Sequence, residues 1–293
     1  MSFIDVCRYK GFQSNLPTVF AHGMGDSCFN PGMQSITAAV GKHVGTYAVC
    51  VPTGPDQGSD TNNGFFMTMN DNVDVFAKAI QKDPKLANGF NAVGFSQGNS
   101  VIRGYIQKYN NPPVSTFLSV HGTVVGVAAF PHCNPAGLLG PVCRLLSTLV
   151  LGPGAYTEAI QKRLFQADFF RQPDALEHAS YKSHSEMAQW NNEGDSVDPT
   201  INVNFAKVKR WAMIKAEKDT MIYPNDGEWW GQFDPKDHTK RLAMNETQWY
   251  QKDQFGLKTA DEAGKIQFGS SPGDHLQFTE KELFGWVDQF FLE

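Results

Sequence analysis

The chain has 293 residues, 41% hydrophobic and 19% charged, which suits a folded globule with ample core and excludes a disordered chain. A formal net charge of −5 gives no electrostatic footprint for nucleic acid. No stretch approaches the roughly 20 apolar residues that span a bilayer, so neither a nucleic-acid partner nor an integral membrane segment is expected. The first ten residues, Met1 to Lys10, lack the basic start and apolar run of a signal peptide. That fits a cytosolic chain or a form from which a signal has been removed.

In chain order, Pro17–Ala21 reads as a short strand that ends at His22-Gly-Met-Gly-Asp26. A helix is expected over Met33–Val40 and a strand over Tyr47–Val51. Asn72–Gln81 repeats apolar residues at Val73, Phe76, Ala77 and Ile80, which is helical spacing. Phe90–Gly94 is a buried strand, Val101–Lys108 a helix and Ser115–Val120 another strand. Repeating strand–helix units imply an α/β fold with a mainly parallel central sheet and helices on both faces.

From His121 to Ala206 the pattern turns mostly helical, with helices expected near Arg144–Leu151, Tyr156–Phe170, Ala175–Asn191 and Ile201–Lys207 between Pro/Gly-rich breaks. Trp211–Ala216 and Lys265–Phe268 resume the strand pattern. Thr279-Glu-Lys-Glu282 is a capping-box signature that opens a final helix. The expected organisation is one domain over 1–293, with 122–206 inserted as a helical cap over the active edge of the sheet.

The five cysteines are Cys7, Cys28, Cys50, Cys133 and Cys143, and the odd number leaves at least one unpaired within the chain. No Cys-x-x-Cys or zinc-spaced His cluster occurs, so no metal and no cofactor are expected. Cys133 and Cys143 enclose a Pro/Gly-rich loop that a disulfide would close in an oxidising compartment. Asn245-Glu-Thr247 is a glycosylation sequon. Both features lean towards the secretory route.

Gly94-Phe-Ser-Gln-Gly98 lies between a buried strand and a helix, where a sharp turn presents a serine hydroxyl and flanking glycines leave room for the corner. A serine nucleophile needs a base, and an acid to orient the base, in the order serine, acid, histidine for an α/β-hydrolase. His275, in the polar loop between the last strand and last helix, fits the base. His121 follows a strand and is placed to line the site. His132, His178 and His184 fall in the cap, and His238 in a charged loop. Asp219 follows the Trp211–Lys215 strand and fits the acid better than Glu217 or Asp226; Asp274 reads as a helix-dipole or turn residue. Backbone N–H groups of Gln97 and Met24 are the expected oxyanion hole.

With these residues in place, the chain resembles the lysosomal palmitoyl-protein thioesterase family. The likeness is carried by His22-Gly-Met-Gly-Asp-Ser-Cys28, Lys82-Asp-Pro-Lys-Leu86, Gly94-Phe-Ser-Gln-Gly98, Gly154-Ala-Tyr156 and Gly273-Asp-His-Leu-Gln277, in that order from about Leu16 to the C-terminus. The resemblance implies an α/β-hydrolase that cleaves the thioester between a long fatty acyl group and a protein cysteine. It puts nucleophile, acid and base on Ser96, Asp219 and His275. Its implied partners are S-acylated proteins or peptides and fatty acyl chains, met by a monomer in the lysosome or outside the cell.

The chain departs from the family at Cys28-Phe29, where the family often has two adjacent cysteines. It departs again at Ala77 and Tyr109, where a disulfide pair is replaced, and at His121-Gly-Thr-Val-Val-Gly126. The family's cap pair is kept as Cys133 and Cys143. The apolar cap residues Leu145, Leu146, Leu149, Val150, Leu151, Leu164, Phe165 and Phe169 are the expected cover for an acyl chain, alongside ordinary helix packing. The alternatives are a lipase, carboxylesterase or acyl-CoA thioesterase with the same three residues, and a lipid-binding protein on an inactive scaffold.

Overall fold

The computed structural model describes residues 16–129 and 153–291. Six strands form one sheet in the order β2-β1-β3-β4-β5-β8, and every pairing in it is parallel. They are β1 (Thr18–Ala21), β2 (Ala48–Cys50), β3 (Phe90–Phe95), β4 (Val114–Val120), β5 (Arg210–Ala216) and β8 (Ile266–Ser271). A separate antiparallel pair, β6 (Gln232–Asp234) and β7 (Asp237–Leu242), lies outside the sheet.

The central strands are apolar along their length because both of their faces are covered. Every residue of β3 is buried. Phe90, Ala92, Phe117, Trp211 and Met213 join a core with Val73, Phe76, Ile80, Ile102 and Tyr105. Those five come from α3 (Met69–Lys82) and α4 (Gly98–Lys108). Val93, Phe95, Leu118, Ala212 and Ile214 join the other core, with Met33 and Val40 of α1 (Pro31–Val44) and Leu283, Trp286 and Phe290 of the C-terminal helix Glu280–Phe290. The period-2 alternation of strand side chains thus divides the core into two layers. Thr279 and Glu282 close the expected capping box at the start of the C-terminal helix.

Three elements differ from the sequence expectations. Residues 57–66, Gln-Gly-Ser-Asp-Thr-Asn-Asn-Gly-Phe-Phe, form a helix, α2, whose composition reads as loop. Asp56 caps it through the Ser59 N–H, and the wholly buried Asp60 anchors it. The β6–β7 pair was not expected, since β7 is mostly exposed and charged. The long helices expected over 156–170 and 175–191 are broken into turns, among them Glu158–Gln161, Phe165–Asp168, Ala179–His184 and Glu186–Trp190. Buried polar contacts substitute for helix continuity here: Gln161 Nε2 donates to the carbonyls of Ala155 and Ala167, both at 2.8 Å. The Pro199–Lys207 helix matches its expectation. The expected Arg144–Leu151 helix and the Cys133–Cys143 pair lie outside the described residues.

Two carboxylates from these broken turns dock on the first turn of α3. Asp168 Oδ2 accepts the Met69 N–H and Glu186 Oε2 accepts the Asn70 N–H, each at 2.7 Å. Both satisfy donors that a helix start leaves free. Burial, and for Asp168 the nearby Glu186, push both groups above the ordinary carboxylate range, Glu186 from 4.5 to about 7. A carboxyl whose folded pKa is raised stabilises the fold below its unfolded pKa and loses that contribution as pH rises through the folded one. The melting temperature should therefore carry a component that falls between about pH 4.5 and 7. In Asp168→Asn, which keeps an acceptor for Met69 but cannot ionise, the fall between pH 5 and 7.5 should be smaller than in the parent by roughly 2–4 °C per kcal/mol of linkage. Thermal melts of the two proteins at both pH values check this; equal slopes would contradict it.

Candidate active site

Ser96 follows the last residue of β3 and has a φ of 51°, in the left-handed region that a serine seldom occupies. Space for this corner comes from the flanking glycines. A Cβ on Gly98 would collide with the carbonyls of Ala21 and His22, and one on Gly94 with Asn99. The corner is tied to β4 through Ser96 N–H to the Val120 carbonyl at 3.1 Å. Asn99 Nδ2 braces it by donating to both the Ser96 and Val120 carbonyls, at 2.9 and 3.0 Å.

The structure brings three of the expected residues into one hydrogen-bonded chain. His275 Nε2 lies 2.8 Å from Ser96 Oγ, and His275 Nδ1 lies 2.6 Å from Asp219 Oδ2. Asp219 Oδ1 accepts the N–H groups of Met221 and Ile222, both at 2.7 Å. Burial opposes the charge on Asp219, but His275 and these two donors outweigh it and hold the carboxyl below its ordinary range. With Nδ1–H directed at Asp219, Nε2 is left to accept the serine proton.

The expected competitors are elsewhere. Glu217 faces Lys215 at 3.7 Å and Asp226 pairs with Arg241 at 3.0 Å. Asp274 is a turn residue, as expected. It accepts the N–H groups of His275 and Thr220, at 2.6 and 2.8 Å, and so joins the loop after β5 to the loop after β8. His184 bonds the Tyr156 carbonyl, His178 lies 3.7 Å from Asp174, and His238 is exposed. His132 lies outside the described residues.

Gln97 follows Ser96 in the chain, and Met24 lines the same cleft as Ser96. Among the described residues neither backbone N–H has a hydrogen-bond partner. The Gln97 side chain is occupied: it donates to the Gly64 carbonyl at 2.8 Å and accepts from Gln166 at 2.7 Å. The loop carrying Met24 is pinned by Asp60, which the sequence reading overlooked. Its carboxylate accepts from Ser27 Oγ, Cys28 N, Thr53 N and Thr53 Oγ1, between 2.6 and 3.1 Å, and faces His22 Nε2 at 3.2 Å. Burial alone would raise Asp60, but these partners bring it down to about 2. Burial also disfavours a charge on His22, yet Asp60 raises it on balance. A Cys28–Cys50 disulfide ties the same loop to β2.

Among the described residues two groups of side chains have the composition of a metal site, His22 with Cys28 and Asp60, and His121 with Asp219 and His275. The first offers no thiolate because Cys28 is in the disulfide. In the second the ring nitrogens and the carboxylate are already paired within the protein. The chemistry of neither set calls for an ion.

A cleft of about 570 Å³ opens at Ser96 and His275, lined by Met33 and Ile36 of α1 and by Met24, Met221, Leu276 and Phe278. This corrects the expected acyl cover. Leu164, Phe165 and Phe169 are buried within hydrophobic cores and are not among the residues that line the cleft. Leu145 to Leu151 lie outside the described residues.

His121 lines no open surface, contrary to its expected place. It is fully buried with a φ of 51° and braces the loop of His275. Its Nδ1 accepts the Leu276 N–H at 2.8 Å, which leaves Nε2–H to donate to Ser271 Oγ at 2.9 Å. Burial, then the charge of His275, push its pKa down to about 4, so it is neutral above that pH. Removing it leaves the Leu276 N–H without a partner. His121→Ala should lower kcat about tenfold with little change in KM, a loss of transition-state alignment rather than of binding. Steady-state kinetics check this; a change in KM alone would contradict it.

The palmitoyl protein thioesterase family model matches residues 17–275. Palmitoyl-protein thioesterase 1 of Caenorhabditis elegans is 35% identical over 96% of this chain and 93% of its own length. Palmitoyl-protein thioesterase 3 of Dictyostelium discoideum is 30% identical over 74% of this chain and 72% of its own. Among solved structures, Est1E from Butyrivibrio proteoclasticus is similar at a TM-score of 0.47 and 10% identity, covering 94% of this chain and 87% of that one. With the family model spanning most of the chain and the Caenorhabditis elegans relative aligned nearly end to end, the chain belongs to the palmitoyl protein thioesterase family.

Proposed function

We propose that the protein is a serine hydrolase that cleaves long-chain acyl thioesters of protein cysteines. Ser96 is the nucleophile, His275 the general base and then general acid, and Asp219 the acid that orients the imidazole. The observation that carries this reading is the chain from Ser96 Oγ to His275 at 2.8 Å and on to Asp219 at 2.6 Å, at the mouth of an apolar cleft. Membership of the family supports the substrate class.

In the first half-reaction His275 Nε2 takes the Ser96 proton as the oxygen attacks the acyl carbonyl. The N–H groups of Met24 and Gln97 receive the oxyanion, a contribution of order 3–4 kcal/mol per donor in comparable sites. Collapse breaks the carbon–sulfur bond, and His275 passes its proton to the departing cysteine sulfur, which leaves as the thiol and frees Nε2. Water, deprotonated by the same nitrogen, then releases the fatty acid and restores Ser96. A thiolate is a better leaving group than an alkoxide, so water attack on the acyl-serine is the slower half for a thioester.

The segment 122–206 is read as an insertion that covers the carboxyl edge of the sheet, with the acyl chain running between α1 and the 276–278 loop. The Cys28–Cys50 disulfide supports an oxidising compartment, lysosomal or extracellular, and a relative from Xenopus laevis is named as a lysosomal thioesterase. Among the described residues no helix is long and apolar enough to cross a membrane. The proposed working unit is the monomer.

The test is an acyl-chain series on a cysteine peptide, with matched oxygen esters and acyl-CoA. Each added methylene should lower KM about fourfold until the cleft is full, from ~0.8 kcal/mol per buried CH₂. Turnover of oxygen esters well above the acyl-cysteine peptides would overturn the thioesterase reading in favour of an esterase, and preference for acyl-CoA would move the substrate off proteins. Met33→Asp should weaken long chains far more than short ones.

A further inference from the structure

We propose that Glu228 is a positioning residue of this site: a buried, protonated carboxylic acid that donates its O–H to Asp219 and holds that carboxylate, as an anion, toward His275. The assignment rests on the proposed role of Asp219.

Glu228 lies in the turn Asn225–Trp229, which packs against β5, and its side chain is fully buried. One oxygen, Oε2, accepts the Ala216 N–H at 2.9 Å. The other, Oε1, reaches neither solvent nor any N–H or hydroxyl donor. The acid that acts on this carboxyl is Asp219, whose side chain is itself fully buried. A hydrogen bond between two carboxyls needs a proton between them, and two carboxylate anions in contact away from water do not persist.

The proton belongs on Glu228 because Asp219 has the better anion site. Asp219 has two backbone N–H donors at 2.7 Å and the His275 ring at 2.6 Å. Glu228 has the single Ala216 N–H. The charged groups facing Glu228 are Asp219 on the loop after β5 and Lys215 on β5, with His275 beyond Asp219. Lys215 is directed away, 3.7 Å from Glu217 and 4.1 Å from the centre of the Trp229 ring. Burial, followed by the charge of Asp219, pushes Glu228 well above the ordinary carboxylate range, and Lys215 offsets this only in part. A neutral O–H donor adds a third anchor to Asp219, beside the two backbone N–H groups. It also moderates the negative charge that Asp219 presents to the imidazole.

Two substitutions separate this role from its rivals. Glu228→Gln keeps the size and offers an amide N–H to Asp219, whereas Glu228→Leu keeps much of the volume and offers no donor. With a long-chain acyl peptide thioester as substrate, kcat of Glu228→Gln should stay within about twofold of the parent, and the acidic limb of kcat/KM should not move. Glu228→Leu should lose about tenfold or more in kcat with KM within about twofold. The acidic limb of Glu228→Gln is decisive on its own, even if Glu228→Leu fails to fold. Were Glu228 an anion, replacing it would remove a negative charge near the imidazole and move that limb to lower pH, which would overturn the proposal. Equal losses in both variants, or a fully active Glu228→Leu, would overturn it as well. Persistent activity in Ser96→Ala would sink the catalytic assignment beneath it, an outcome the Glu228 variants do not produce.

Discussion

Ser96 is held at a φ of 51° at the carboxyl end of β3, and the neighbouring elements are arranged so that this conformation persists. A left-handed serine is disfavoured on its own, and such corners survive only where the surroundings over-determine them. Here the surroundings are the glycine at 98 packed against the β1 carbonyls, the Val120 carbonyl at the end of β4, and Asn99 reaching back from α4. Three adjacent parallel strands, β1, β3 and β4, therefore end at one point. The loops after β5 and β8 are knitted together beside it by Asp274 and by the Glu217 N–H to Ser271 carbonyl bond. His275 and Asp219 meet Ser96 because their strands are neighbours in the sheet, although 179 and 56 residues separate the paired groups in sequence.

The buried acids around this point fall into two kinds, decided by how many donors each one meets. Asp60 and Asp219 are surrounded by N–H, hydroxyl and imidazole groups, which outweigh burial and keep them ionised. Asp168 and Glu228 each meet one backbone N–H and a second acid, and the balance reverses. The same residue chemistry thus supplies fixed negative charge where a histidine must be oriented and neutral donors or acceptors elsewhere. Protonation state here is a property of the hydrogen-bond census rather than of depth alone.

Much of this was legible in the sequence. The strands of the sheet announce themselves as short apolar runs because both faces are buried, and Gly94 and Gly98 mark the corner at Ser96. Asp219 and His275 follow the last two core strands, where parallel sheets gather reactive groups. What was illegible has physical causes. Residues 57–66 look like loop because two glycines and two asparagines disfavour helix; the helix forms through the tertiary contacts of Asp60. The pairing of Cys28 with Cys50 depends on β2 lying beside β1, with Phe20 level with Cys50. The apolar residues at 164–169 have the composition of a lipid cover, but composition does not distinguish a cleft wall from a core, and they are core. Glu228 carries no local signal, and although His121 is marked by its place after a strand its bracing role is not, since both act across the gap between strand ends.

The claim at the centre of the account is that acyl groups pass through Ser96. It is tested most directly by mixing the protein with an excess of a palmitoylated cysteine peptide, quenching in acid during turnover, and mapping the acyl adduct by peptide mass spectrometry. The account predicts a fatty acyl ester on the peptide that contains Ser96, accumulating because water attack is the slower half, and absent in Ser96→Ala. Full turnover with Ser96 unmodified throughout, or an adduct that survives in Ser96→Ala, would contradict it.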